Sequence, residues 1–323
     1  MNDISTPFLG LSLQGDQFCL VRMEGDSIQA IATRELIQPF DMETFREGGK
    51  LLNSYTEIVR DLYQRVGARG IDVGIALNSN LVLTKRIPVA LGLDEEMIKE
   101  HITWEVEQFL IGSINEYIFD YQRLPFQTSE GNPFFLSILV RKEIIEGIRN
   151  LVKMCDLSLK DVDVDIFASV RALLTNFDLD SSGTSVLIDI QRDGLAFVFI
   201  RQREFFLSHR IPYNKDKSVS RSVDNPAIVQ LLMKELKRLV FGHNLGRGVE
   251  DLDGIYFIGN EAVRHVYQEL RDTVEIPMEI VNPFLRTKVS DSVRQSQDFS
   301  NFPERFVPSI GITLKHMMVD KEK

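Results

Sequence analysis

Between Leu11 and Ile31 the chain reads LSLQGDQFCLVRMEGDSIQAI, short apolar runs interrupted by Gly, Asp and Gln. Such alternation, broken at turn-forming residues, predicts three antiparallel strands joined by tight turns. The same arrangement recurs without a gap from Ile188 to Ser208, IDIQRDGLAFVFIRQREFFLS. An amphipathic helix is predicted after each copy. The first spans Met42 to Val66, with Phe45, Leu52, Ile58, Val59 and Leu62 on its apolar face. The second spans Pro226 to His243 and carries Ile228, Leu231, Leu232, Leu236, Leu239 and Val240 at helical spacing. Pro226 suits a first helical turn, where its missing N–H costs nothing, while Gly242 and Gly246–Arg247–Gly248 supply a stop and a loop.

The first half contains an extra block. From Leu81 to about Asp156 the pattern predicts strand LVLTKRIPV, helix Asp94 to Leu110, strand YIFDYQRL, strand PFFLSILV and helix Lys142 to Cys155. The turn between the last two strands is read as LPFQTSEGNP, which is rich in turn formers. Strand SLKDVDVD and helix Ile166 to Asn176 return to the first unit, and Ser181–Ser182–Gly183 is the candidate linker. Beyond it come strand Gly254 to Ile258, helix Glu261 to Leu270 and strand Met278 to Val281. Lys288 to Asn301 is polar and poorly patterned; Phe306 to His316 is predicted to close the fold as a packed helix, followed by a solvated tail, Asp320 to Lys323. The expected fold class is α/β, with lobes at 1–180 and 183–323 and a small α+β subdomain inserted at about 81–156. The closing helix can pack back on the first lobe.

A chain of 323 residues is long for one compact core, which agrees with two lobes. Its formal net charge of -10 argues against nucleic acid, whose phosphates need clustered Lys and Arg. The same charge disfavours docking on an anionic membrane. The polar start, Met1 to Thr6, lacks the features of a secretory signal, and no window approaches about 20 apolar residues. Cys19 and Cys155 stand far apart, without disulfide or metal spacing, and fit a reducing, cytoplasmic compartment.

No catalytic constellation stands out. The histidines at 101, 209, 243, 265 and 316 lack metal-ligand spacing, and neither a G-x-S-x-G elbow nor a G-x-x-x-x-G-K-[ST] loop occurs. Asp161, Asp163 and Asp165 would share one face of a strand, which allows a divalent cation site, although a solvated edge strand accounts for them more simply. On the Asp94–Leu110 helix, Ile98, Ile102, Val106 and Phe109 form the main stripe. Trp104 lies off it, grouped with Met97 and His101. It either packs beneath a neighbouring strand or loop, or borders a groove beside the inserted subdomain that accepts a partner's peptide.

A duplicated β-meander with an insertion in the first lobe resembles the actin-like ATPase superfamily. Within it, TKRIPVALGLDEEMIKEHITWEVEQFL resembles the PilM-type pilus assembly family, where a Trp-Glu-x-Glu-Gln helix follows such a strand and loop. YIFDYQRL, FFLSILVRKEIIEGI and LSLKDVDVDIFASVRAL follow in that family's order, as do the IDI strand, the ELKRLV helix core and VNPF after an IGN turn. The likeness runs from Phe8 to Leu314.

The resemblance implies a nucleotide site, ATP with magnesium, whose phosphates lie between the first turn of each lobe. This sequence departs from the pattern there. The Asp-x-Gly positions of the first turn hold Ser12, Leu13 and Gln14, followed by Gly15 and Asp16. In the second lobe Asp189 survives, but Gln191 replaces the glycine, followed by Arg192 and Asp193. Gly259 remains at the adenosine strand end, ahead of Asn260 and Glu261, and Glu235 and Arg238 match positions that flank the base. The expectation is a vestigial site at which nucleotide binding is weak or lost and hydrolysis absent. The resemblance also implies a partner: the cytoplasmic tail of a single-span inner-membrane pilus assembly protein, which would hold this chain at the membrane without insertion of its own. Two alternatives stay open, an active ATPase of the same family and a self-associating filament protein resembling the division protein FtsA.

Overall fold

Every residue of the first apolar run is buried in the computed structural model, as β1 (Phe8–Leu13) at the centre of a sheet. The structure describes residues 7–46, 50–68, 70–213 and 226–321. A run buried on both faces reads as continuous apolar sequence rather than alternation. β1 pairs antiparallel with β2 (Gln17–Glu24), and β2 pairs with β3 (Ser27–Glu35) through a turn that places Gly25 at φ 62°.

The single helix expected from Met42 to Val66 is divided. Asp41 caps a short 3-10 turn, Met42–Phe45, and α1 (Lys50–Arg65) begins afresh. Residues 47–49 between them lie outside the described residues; their sequence ends in Gly48–Gly49, the weakest helix formers short of proline. β4 (Asp72–Leu77) then returns parallel to β1.

The inserted block comprises β5 (Val82–Pro88), α2 (Glu95–Glu107), β6 (Tyr117–Gln127), β7 (Pro133–Arg141) and α3 (Lys142–Met154). Its sheet is antiparallel, ordered β5-β7-β6. The turn read as starting at Leu124 is shorter than expected, because β6 continues to Gln127. Leu124 and Phe126 are buried in the second lobe's core, which draws the strand onward, and Pro125 is tolerated because β6 is an edge strand. The subdomain thus uses both faces of its sheet. One face carries α2 over Ile87, Val89, Tyr117, Phe135 and Leu139. The other places Leu124, Phe126 and Leu136 against the second lobe, where Arg86 is sandwiched between Phe134 and Phe206 at 4.4 and 4.2 Å.

β8 (Ser158–Val164) pairs parallel with β4 and leads directly into α4 (Asp165–Asn176). The second unit repeats this plan with β9 (Thr184–Gln191), β10 (Gly194–Arg201), β11 (Glu204–Pro212), α5 (Pro226–Gly242), β12 (Gly254–Gly259), α6 (Ala262–Arg271) and β13 (Met278–Ile280). The two sheets run β3-β2-β1-β4-β8 and β11-β10-β9-β12-β13, the same strand order and the same mixture of directions.

The stretch Lys288 to Asn301, which lacked a pattern, folds into short pieces: β14 (Lys288–Val289), α7 (Asp291–Arg294) and α8 (Gln297–Asn301). Ser290 and Ser296 cap the two helices through their hydroxyls. β14 adds to β3, and α9 (Val307–Lys321) lies against β1, β4 and α4, so this segment packs on the first unit. Contact is backbone to backbone: a Cβ on Gly311 would overlap the Ala168 carbonyl, and one on Gly10 the Ser309 carbonyl. The closing tail of the sequence, Asp320 to Lys323, ends outside the described residues.

Candidate functional site

The two units face each other through equivalent turns, and there the polar residues of the chain converge. The β1–β2 turn closes on a Gln14 N–H bond to the Gln17 carbonyl, 3.1 Å. Its Asp16 carboxylate accepts from the backbone N–H of Arg192 at 3.0 Å and from Asn260 Nδ2 at 3.2 Å. Asn78 and Asn80, at the end of β4, reach across in the other direction. Asn78 Nδ2 donates to Gln191 Oε1 at 3.2 Å and Asn80 Nδ2 to Asp193 Oδ2 at 3.0 Å. Arg210 on β11 completes the set, donating to Gln191 Oε1 at 3.3 Å and to Asp193 Oδ1 at 2.6 Å. The turns are therefore bonded to one another across the gap.

Beneath this network lie two buried carboxyls. Asp189 Oδ2 accepts from Gln191 Nε2 at 2.6 Å, and Asp165 Oδ1 from the Ser79 N–H at 3.0 Å. Among the described residues, their other oxygens, Asp189 Oδ1 and Asp165 Oδ2, meet no hydrogen-bond partner, and neither does the Tyr213 hydroxyl. Desolvation, with repulsion from Asp165, pushes Asp189 up to about 7; desolvation pushes Asp165 up to about 6, against the pull of Arg210. Burial raises Asp16 as well. Asp189 so placed keeps a large share of its proton near neutrality.

The residues singled out from the sequence fare differently. Gly15, Asp189 and Gln191 meet at the gap. Ser12 is turned away, its hydroxyl 2.9 Å from that of Ser309 under α9. Gln14 is buried and bound to Gln17 at 3.0 Å. Glu235 and Arg238 pair with each other at 2.6 Å, and Arg238 reaches His209 at 3.1 Å. Gly259, at φ 124°, lets β12 approach the Ile190 carbonyl, which a side chain would meet. Asn78 and Asn80 were missed; an Asn-Ser-Asn run at a strand end was their only signal.

The three aspartates do not form one strand face. Asp161 and Asp163 share Lys315 at 2.7 and 3.9 Å, with Asp163 also bound to Arg171 at 3.0 Å. Asp165 lies beyond β8, at the start of α4, and is buried. Among the described residues no group of three or more His, Cys, Asp or Glu is placed to hold a metal ion.

A groove of about 680 Å³ opens where the inserted sheet faces the first lobe. β8 is the edge of its sheet, so among the described residues the backbone groups on its outer side have no strand beside them. Leu77, Val82, Ile138, Val140, Leu159 and Phe167 give the groove an apolar lining, and Ile118 of β6 stands at its side. Charges of both signs edge it: Arg149, Lys160 and Lys315 against Asp120, Asp161 and Asp163. Met97, His101 and Trp104 do not line it. Trp104 is 57% exposed rather than packed beneath a neighbour, Met97 is 52% exposed, and His101 meets the Pro88 carbonyl at 3.3 Å. The groove went unseen in the sequence because strands far apart in the chain build it.

The family described as type IV pilus assembly protein PilM matches residues 33–210. Among solved structures, a PilM-PilN type IV pilus biogenesis complex aligns at a TM-score of 0.77 and 19% identity, over 96% of this chain and 98% of that chain. The ethanolamine utilization protein EutJ from Carboxydothermus hydrogenoformans aligns at 0.51 and 12% identity, over 95% and 89%. A Bacteroides thetaiotaomicron protein with an actin-like ATPase fold and unknown function aligns at 0.50 and 12% identity, over 88% and 95%. The fold is thus the actin-like ATPase fold. No curated protein matches the chain. Among the described residues no helix is long and apolar enough to cross a membrane.

Proposed function

This chain belongs to the type IV pilus assembly protein PilM family, and from that premise we propose that it is a scaffold which seats the extended cytoplasmic tail of a single-span inner-membrane protein. The seat is the groove between β8 and the inserted sheet. The observation that carries this reading is the coincidence of an unpaired strand edge with an apolar cavity of about 680 Å³. An extended segment added to β8 gains main-chain hydrogen bonds, while its alternate side chains enter the apolar lining. The relative solved as a PilM-PilN complex supports a partner of this kind. Held by such a tail, the chain works in the cytoplasm beside the inner membrane.

Nucleotide hydrolysis has no part in this role. A polyphosphate between the turns would displace the Asn78–Gln191, Asn80–Asp193 and Arg192–Asp16 bonds. It would then face the Asp193 carboxylate, at about 4 kcal/mol for roughly 4 Å and an effective dielectric of about 20, and beside it Asp16, which burial makes harder to ionise. The side chains of Gln14 and Gln191 occupy the places where small residues would let the backbone approach phosphate. Asp165 and Asp189 remain as acids without a cradle above them. The residues therefore do not fit magnesium-ATP.

Calorimetry tests both halves. The cytoplasmic tail of a single-span inner-membrane pilus assembly protein is expected to bind wild type, and to lose at least about tenfold in affinity to Ile118→Glu or Arg149→Glu, both at the groove's accessible side. Equal affinity for wild type and both variants would refute the site. Saturable micromolar binding of magnesium-ATP would refute the loss of nucleotide.

A further inference from the structure

The face of α2 opposite its buried stripe is used by neither the gap nor the groove. Met97, His101 and Trp104 fall at i, i+4 and i+7, one stripe along the helix. Trp104 and Met97 are each more than half exposed, and Ile111, 83% exposed, follows just beyond the helix end. A tryptophan left this open, among other apolar side chains, is what interface anchors look like before they are covered. The surroundings are acidic. Glu96, Glu100 and Glu107 are exposed beside the stripe, and Lys99 is the only Lys or Arg in the helix.

That charge decides the occupant. An anionic bilayer would be repelled by these carboxylates. A second copy of a chain with formal net charge -10 brings like charge to the same place. We propose that the outer face of α2 is a second docking surface, for a basic, apolar segment of another protein, separate from the groove that seats the tail. Its apolar side chains would cover Trp104 and Met97 while its Lys or Arg residues meet Glu100 and Glu107. Two separate surfaces on one small subdomain would let the chain join the membrane-anchored tail to another component. This surface does not depend on the groove, and its failure would leave the groove reading intact.

Trp104 is the sole tryptophan, so its emission reports on this face alone. The probe is a short synthetic Lys/Leu amphipathic helix, compared with its Glu/Leu counterpart and with phosphatidylglycerol vesicles. The Lys/Leu peptide is expected to give a saturable blue shift. The shift should weaken at least tenfold in E100K/E107K and in Met97→Ser, and persist in the control E269K/E275K. The tail should bind all of these variants as it binds wild type. A blue shift with the Glu/Leu peptide or the vesicles, or an emission maximum that moves with protein concentration alone, would overturn the proposal. So would equal weakening by both charge reversals.

Discussion

Replacing Asp189 with asparagine is expected to stabilise the protein by about 3 kcal/mol more at pH 8 than at pH 5. The folded chain holds the Asp189 carboxyl at about 7, chiefly by desolvation and then by Asp165. In the unfolded chain the same group titrates near about 3.9. Between those values the folded state keeps a proton that the unfolded state has released. Its contribution to stability is therefore complete below about pH 4 and is lost as pH rises through about 7. From pH 5 to pH 8 the loss is about 3 kcal/mol for this one group. Asp165 shifts in the same direction, and Asp16, Gln191, Arg210 and Tyr213 complete the polar surroundings. Asparagine keeps an acceptor for Gln191 Nε2, which lies 2.6 Å away, and never ionises. The assay is urea unfolding of wild type and variant at both pH values. The quantity of interest is the change with pH of the difference between them, which removes the titration of every unaffected group. Parallel pH profiles, agreeing to within about 1 kcal/mol, would mean that burial does not hold this carboxyl neutral.

Three further perturbations test the architecture. Gly311→Ala should cost about 3 kcal/mol or prevent folding, because the new methyl meets the Ala168 backbone; an unchanged melting temperature would show that α9 is not seated this closely. Arg86→Ala should remove about 2 kcal/mol by opening the Phe134–Phe206 sandwich, and amide exchange in β5 and β11 should rise; unchanged exchange would contradict the bridge between subdomain and second lobe. Asn78→Ala with Asn80→Ala removes two donors across the gap and should lower stability by about 1 to 3 kcal/mol without creating magnesium-ATP binding, as calorimetry would show.

Much of the fold was legible because its parts are locally specified. The two meanders announce themselves through turn residues at matching intervals, and α5 (Pro226–Gly242) buries Ile228, Leu232, Leu236, Leu239 and Val240 from the stripe read in its sequence. Where local signals were weak, so was the reading. The two serines that start α7 and α8 are cap residues, but helices of four and five residues leave no periodicity to detect. β6 ran on past Leu124 because a distant partner, the second lobe's core, rewards burial there. The gap was half visible. Gln14, Gln191, Asp16 and Asp193 stood out as departures from a phosphate turn, while Asn78 and Asn80 carry meaning only once β4 is known to end opposite the second lobe. The groove lay beyond sequence altogether, since one wall is β8, from Leu159 to Val164, and the rest comes from one or two side chains each on elements as far apart as β4, β5, β6, β7, α3, α4 and α9. Trp104 lies off the main stripe, as its spacing implied, but it is exposed and is not among the side chains that line the groove.

Hydrogen exchange with and without the inner-membrane partner's tail bears most directly on the central claim. Amides of β8 on the side away from β4, and those of β6 near Ile118, should be slowed on binding, since an added strand supplies the partners that the free edge lacks. Protection confined to α2 between Met97 and Trp104, or none in β8 at a saturating concentration of tail, would contradict it.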